Sequence, residues 1–212
     1  MAKAPRAGSV KTRLEPLLGD EGCAALQGEL ITATSTWAVT VAPGRAYVAC
    51  GPDARAVDEV ASRAAPGAEL LADATGDLGD RLAAATGRVL AAHPEPVLVV
   101  GTDMPLLREA DAVAAERTLD KGADVVFGPA VDGGYWLIGL VAPLPGVFEL
   151  GEEWGGPRVL ERSLQLAAAL GAHSELLNVR RDLDDPADAR ALLAEPDLPA
   201  PVAELLRAGS SA

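Results

Sequence analysis

Short apolar runs rich in Val and Tyr alternate along this chain with longer stretches dominated by Ala and Leu. No other feature constrains the fold as strongly. An apolar run of about five residues suits a buried strand, and a parallel partner can be reached only through a longer crossover, usually a helix. The runs are AYVAC (46–50), VLVVG (97–101), DVVFG (124–128), YWLIGL (135–140) and ELLNV (175–179). Helical periodicity is expected over 20–41, 53–65, 78–92, 107–121, 157–170 and 186–195. The expectation is an α/β fold, a mostly parallel Rossmann-like sheet flanked by helices. One domain is expected over 1–200, with a short helix and a frayed tail over 201–212.

A chain of 212 residues with 49% hydrophobic and only 3% aromatic residues can bury a real core, built mainly of Ala, Leu and Val. The formal net charge of -13 argues against nucleic acid as a partner, because such binding depends on neutralising phosphates along a basic surface. Cys23 and Cys50 lie far apart and form no CxxC pair, so reduced thiols are expected. Glu15, Asp20 and Glu21 fall where a signal peptide would need an apolar segment, and no run reaches membrane-spanning length. A cytoplasmic protein without a membrane span is expected.

Against this acidic background the positive charge is sorted. Lys3, Arg6, Lys11 and Arg13 all precede the first acid, Glu15, and two of the three lysines lie in this stretch. With Gly8 permitting close backbone approach, KAPRAGSVKTR reads as a loop for an oxyanion or polyphosphate, ahead of a merely solvated basic loop. It is not a P-loop, because Pro5 and Val10 stand where that motif requires glycine.

In GTDMP, Asp103 follows the most apolar strand. Mg²⁺ takes one or two protein carboxylates and fills its octahedron with water and phosphate oxygens, so Asp103 is either a metal ligand or a helix N-cap. In RRDLDDPAD, Asp185 and Asp188 account for a helix cap with Pro186 in the first turn. Asp182 and Asp184 remain, and in an extended segment they point the same way, which calls for a cation or for neutralisation by Arg180 and Arg181. In GPAVDGGYWLIGL the Asp132-Gly133-Gly134 step is foremost a hairpin turn, and second a place where a substrate lies on bare backbone beside Asp132. WGGPRVLE brings Gly155, Gly156 and Arg158 to a helix start beside Trp154, a candidate anion site. His93 and His173 lie in no cluster, and GxSxG and HExxH are absent.

Taken in order, AKAPRAGSVKTRL, GDLGDRL, GTDMPLL, GPAVDGGYWLIGL, WGGPRVLE and RDLDDPAD resemble the radical-SAM/selenodomain-associated transferases, a glycosyltransferase-like family described in some genomes as arsenosugar-biosynthesis glycosyltransferases. The resemblance covers nearly the whole chain and implies the GT-A fold of nucleotide-diphospho-sugar transferases. That fold also houses cytidylyl- and guanylyltransferases, whose motifs VKTRL, GTDMP and DLDDPAD resemble too. The resemblance implies that Lys11 and Arg13 hold nucleotide phosphates, beside Lys3 and Gly8 of the same basic loop, with Asp77 and Arg81 near the nucleotide or acceptor. It implies Mg²⁺ or Mn²⁺ held by Asp103 with Asp182 or Asp184, and substrate contacts from Gly133, Gly134, Tyr135, Trp154 and Arg158.

The chain departs from that pattern in two places. Asp185 and Ala187 replace the threonine and glutamate of Asp-x-Asp-Thr-Pro-Glu-Asp, and no strict Asp-x-Asp motif surrounds Asp103. The expected function is Mg²⁺-dependent glycosyl transfer from a nucleotide sugar to a small-molecule acceptor, with Asp103 and Asp132 catalytic. The alternatives are nucleotidyl transfer from an NTP to a phosphorylated acceptor with pyrophosphate release, and a non-catalytic nucleotide-binding module. Only Met1 and Ala2 precede Lys3, where relatives carry a central strand. A truncated first strand is therefore expected, with the natural start about 6–10 residues upstream.

Overall fold

The computed structural model describes residues 1–51, 53–72 and 75–210; of the stretch 201–212, expected as a short helix and frayed tail, the last two residues lie outside them. In chain order the elements are α1 (Glu15–Val41), β1 (Tyr47–Cys50), α2 (Ala54–Ala61), β2 (Glu69–Ala72), α3 (Leu78–Ala92), β3 (Val97–Val100) and α4 (Glu109–Asp120). They continue as β4 (Val125–Pro129), β5 (Tyr135–Leu140), α5 (Val159–Ala169), β6 (Ser174–Leu176), α6 (Pro186–Leu192) and α7 (Ala200–Ser210). The chain forms two compact units, one of residues 1–72, 101–108 and 182–212, the other of residues 73–100 and 109–181.

In the first unit β1 pairs in parallel with β2, from Tyr47 opposite Glu69 to Cys50 opposite Ala72. Ala2 adds a single parallel bridge to Cys50, its amide donating to the Ala49 carbonyl at 2.8 Å. β2 had no signal in the sequence because only Leu71 of its four residues is buried, too few to make an apolar run. Helix α1 breaks at Gly19 (φ 66, ψ 170), so the regular helix begins at Asp20, the start that periodicity predicts. Leu14, Cys23, Leu26 and Leu30 pack with Leu183, Leu192, Val202 and Leu206 into a core that ties α1 to the two C-terminal helices. Each fully buried leucine contributes about 1.5–3 kcal/mol. Leu183 matters most for the site, because its burial fixes the backbone between Asp182 and Asp184.

In the second unit the strand order is β3-β5-β4-β6. β4 and β6 are parallel, and β5 runs antiparallel to both β3 and β4. The hairpin expected at Asp132-Gly133-Gly134 requires that reversal. Phe127, Leu137, Ile138 and Leu140 fill its core and are all but fully buried. A half-buried ion pair joins Arg180 to Asp111, and the Arg180 guanidinium lies 5.2 Å from the centre of the Trp136 ring. Among the described residues, no helix is long and apolar enough to cross a membrane.

Candidate functional site

Three segments of the first unit meet at one place. The opening loop ends at Lys11, the GTDMP segment follows β3 in sequence, and the DLDD segment precedes α6. Their register is fixed by backbone and side-chain bonds. The Leu183 amide donates to the Asp103 carbonyl at 2.9 Å, and the buried Gln27 amide nitrogen donates to the Lys3 carbonyl at 3.2 Å and the Thr102 hydroxyl at 3.3 Å. Gln27 belongs to no motif. It sits mid-helix among apolar neighbours, where a polar side chain with a burial of 4% exposure was the only available signal, and that signal needs the fold.

The meeting point gathers carboxylates. Oxygens from Asp103, Asp182 and Asp184 lie within 4.8 Å of one another. Asp103 caps no helix, since α4 begins only at Glu109, and its carboxylate has no hydrogen-bond or ion-pair partner among the described residues. Gly101 makes the room for it, because a Cβ there would lie 2.2 Å from Asp103 Oδ1. Met104 and Pro105, the next two residues, are both buried. The cap belongs instead to Asp185, whose carboxylate accepts from the Ala187 and Asp188 amides at 2.7 and 2.9 Å, while Asp188 accepts in return from Asp185. Asp182 and Asp184 are thus surplus to capping, and Leu183 between them is turned into the core.

The charge that meets them comes from the opening loop. Lys11 Nζ donates to Asp184 Oδ1 at 2.9 Å and to the Leu183 carbonyl at 2.7 Å, and its side chain is only 9% exposed. Arg13 lies farther off, 3.9 Å from Asp184 Oδ2 and 70% exposed. Lys11 is the only non-glycine among the described residues in the left-handed region, at φ 50. That conformation costs about 1–2 kcal/mol. Its carbonyl is secured by the Leu14 amide at 2.7 Å and the Cys23 thiol at 3.3 Å. Burial raises the Cys23 pKa above its ordinary value, so the thiol stays a neutral donor.

The remaining loop residues separate. Arg6 turns away to Glu59 at 2.5 Å and Asp53 at 3.2 Å. Both carboxyls are held below their ordinary values, Asp53 first by the Ala56 amide and then by Arg6, Glu59 chiefly by Arg6. The Lys3 ammonium is exposed and unpaired among the described residues, and Gly8 lies in an exposed turn.

The second unit holds the other residues singled out in the sequence. Asp132 is exposed and its Oδ1 accepts from the Gly134 amide at 2.8 Å, which closes the turn. Gly133 has φ 93, and a Cβ there would lie 2.0 Å from the Pro157 carbonyl oxygen, so the turn docks against the approach to α5. Tyr135 packs edge-on against Phe127 and Trp154. The buried Tyr135 hydroxyl, Trp154 Nε1 and Ser163 hydroxyl make no hydrogen bond among the described residues. Burial drives the Tyr135 pKa well above its ordinary value; Ser163 lies close enough to soften that shift without reaching bonding geometry. Asp77 forms a capping box with Asp80 at the start of α3, Arg81 lies half-buried in the following turn, and Arg158 pairs with Glu153 at 2.9 Å.

The chain is similar in fold to a crystal structure of a candidate nucleotide-diphospho-sugar transferase from Desulfovibrio desulfuricans G20, with a TM-score of 0.86, 24% sequence identity, and coverage of 99% of this chain and 93% of that one. The fold is therefore α/β and GT-A-like. No curated protein matches the chain in sequence. The family model described as an uncharacterized protein conserved in bacteria matches residues 35–156, which include Asp103, the Asp132–Gly134 turn and Trp154. That match spans more than half of the chain, which belongs to the DUF2064 family.

Proposed function

We propose that the protein is a Mg²⁺- or Mn²⁺-dependent transferase that uses a nucleotide sugar as donor and a small molecule as acceptor. The observation that carries this reading is the convergence of Asp103, Asp182 and Asp184 from two separate segments, with Lys11 and Arg13 beside them. The donor set fits a hard divalent ion: oxygen ligands only, few enough to leave positions for water and phosphate, and one carboxylate with no protein partner of its own. The ion would supply Lewis-acid stabilisation of charge on a leaving diphosphate.

The chain's own residues do the rest. Asp103, set back by the space at Gly101, and Asp182, fixed by the burial of Leu183, would hold the ion. Lys11 and the exposed Arg13 and Lys3 would supply positive charge to phosphate oxygens, electrostatic help of the kind that often contributes most to catalysis. In the second unit Asp132 would accept a hydrogen bond from an acceptor hydroxyl and take up its proton, and Tyr135, Trp154 and Arg158 would contact the acceptor.

Product analysis tests the reading. Purified protein with Mg²⁺, a panel of nucleotide sugars and NTPs, and small hydroxylated or phosphorylated acceptors should release nucleoside diphosphate from a sugar donor. Pyrophosphate release from an NTP would instead establish nucleotidyl transfer. Metal-dependent nucleotide binding with no turnover on any acceptor would reduce the protein to a binding module.

A further inference from the structure

We propose that Lys11 is the resident counter-ion of the aspartate cluster, and that a divalent ion must draw Asp184 away from its ammonium to engage all three carboxylates. The inference rests on the metal reading above and adds a competition to it. Three carboxylates within 4.8 Å of one another repel strongly unless a cation stands among them. For Asp184, Lys11 is positioned to do so closely. Lys11 Nζ is 2.9 Å from Asp184 Oδ1, nearly buried, and anchored on the Leu183 carbonyl, whereas Arg13 is 3.9 Å away and mostly in solvent. Of the two arginines that the sequence offers as alternatives, Arg180 and Arg181, the first is engaged by Asp111 and Trp136.

The backbone shows that this placement is specified. Lys11 alone among the described non-glycine residues takes a left-handed φ, and its carbonyl is bonded twice to α1 and the turn before it. An ordinary exposed lysine would relax to a right-handed or extended conformation. An ammonium is also the right kind of occupant for an exchange. It is a compact point charge on a flexible four-carbon stem, with three donors that can be redirected once Asp184 leaves. Without metal it neutralises Asp184. With metal bound it remains a positive charge a few ångströms from a dication, and it regains donors for a phosphate oxygen.

Removal of the Lys11 charge should therefore tighten metal binding, the opposite of what loss of a supporting residue normally does. Mn²⁺ binding to the full chain, followed by the electron paramagnetic resonance of free Mn²⁺, provides the test without any substrate. Lys11→Met should bind Mn²⁺ alone about tenfold more tightly than the unmodified protein. Lys11→Arg, which keeps the charge, should stay near the unmodified affinity. In thermal melts the metal-free Lys11→Met protein should melt lower than the unmodified one and gain more from millimolar Mn²⁺. Should Lys11→Met fail to fold, Lys11→Gln retains a donor toward Leu183 and serves in its place. Folded Lys11→Met or Lys11→Gln with unchanged or weaker Mn²⁺ affinity overturns the competition while leaving the metal site standing. Absence of Mn²⁺ binding in every protein, each shown to be folded, removes the metal reading and the inference together.

Discussion

Replacing Gly101 with alanine isolates the role of Asp103 from the stability of the fold. The new Cβ would lie 2.2 Å from Asp103 Oδ1 and 3.2 Å from its Cγ, and no backbone atom is among its closest neighbours. The carboxylate must therefore retreat by an ångström or more, by a change of rotamer that costs about 0.5–1.5 kcal/mol. Gly101 does not have a left-handed φ, so alanine also restricts the unfolded chain and returns about 0.4–1 kcal/mol. The two effects nearly cancel. Metal binding should not escape so lightly. Withdrawing a unit charge from about 2.1 Å to about 4 Å of a dication costs about 2 kcal/mol even at the dielectric of bulk water, or roughly thirtyfold in affinity. Mn²⁺ titration beside urea unfolding measures both. Unchanged Mn²⁺ affinity in a stable Gly101→Ala protein would refute the placement of Asp103 in a metal site. A stability loss beyond about 2 kcal/mol would mean that backbone, not the carboxylate, yields to the methyl group.

Gly133→Ala should destabilise by about 2–4 kcal/mol in urea unfolding, through its left-handed φ, its clash with Pro157 and the loss of the Leu160 amide bond to its carbonyl. Gly134→Ala, with no positive φ and a closest approach of 3.2 Å to a side-chain oxygen, is the control and should cost under about 1 kcal/mol. Because burial raises the Tyr135 pKa, its contribution to stability is complete below the unfolded value near 10 and declines as pH rises above that, where the unfolded chain ionises first. Thermal melts from pH 8 to 11 should accordingly fall less steeply for Tyr135→Phe than for the unmodified protein; parallel curves would show that Tyr135 is not protected from ionisation. Asp132→Asn keeps the acceptor oxygen for the Gly134 amide, so nucleotide affinity and stability should persist while turnover falls, and the reverse pattern in steady-state kinetics would assign Asp132 to the donor.

Short apolar runs announced β1, β3, β4 and β5, and the Asp-Gly-Gly step announced the reversal into β5. β2 escaped because an edge strand with one buried residue carries no pattern. At the site, the period-2 spacing of Asp182 and Asp184 and the surplus over capping were legible, since both follow from local geometry. Their meeting with Asp103 depends on how Leu183 packs and on a bond between two backbones, which no local pattern encodes. The sorting of lysines to the opening loop was also visible. What it could not show is that Lys11 turns inward to Asp184 while Arg6 turns outward to Glu59, because the two differ only in the partners that folding supplies. Gln27 left no trace at all.

The first unit is not a continuous piece of chain: residues 1–72 are joined by 101–108 and completed by 182–212. During synthesis, which proceeds at about 5–20 residues per second, Lys11 emerges first and its partner Asp184 among the last. For most of translation the opening loop holds its positive charge with neither Asp184 nor the Leu183 carbonyl to receive it, and the core around Leu26 and Leu30 lacks Leu183, Leu192 and Leu206. The second unit, contiguous apart from residues 101–108, has its whole sheet available as soon as β6 has been made. Connectivity thus lets every strand of the second unit's sheet be made before the aspartate cluster can exist, and a nascent chain arrested before residue 182 would hold all four strands but only Asp103 of the three clustered carboxylates.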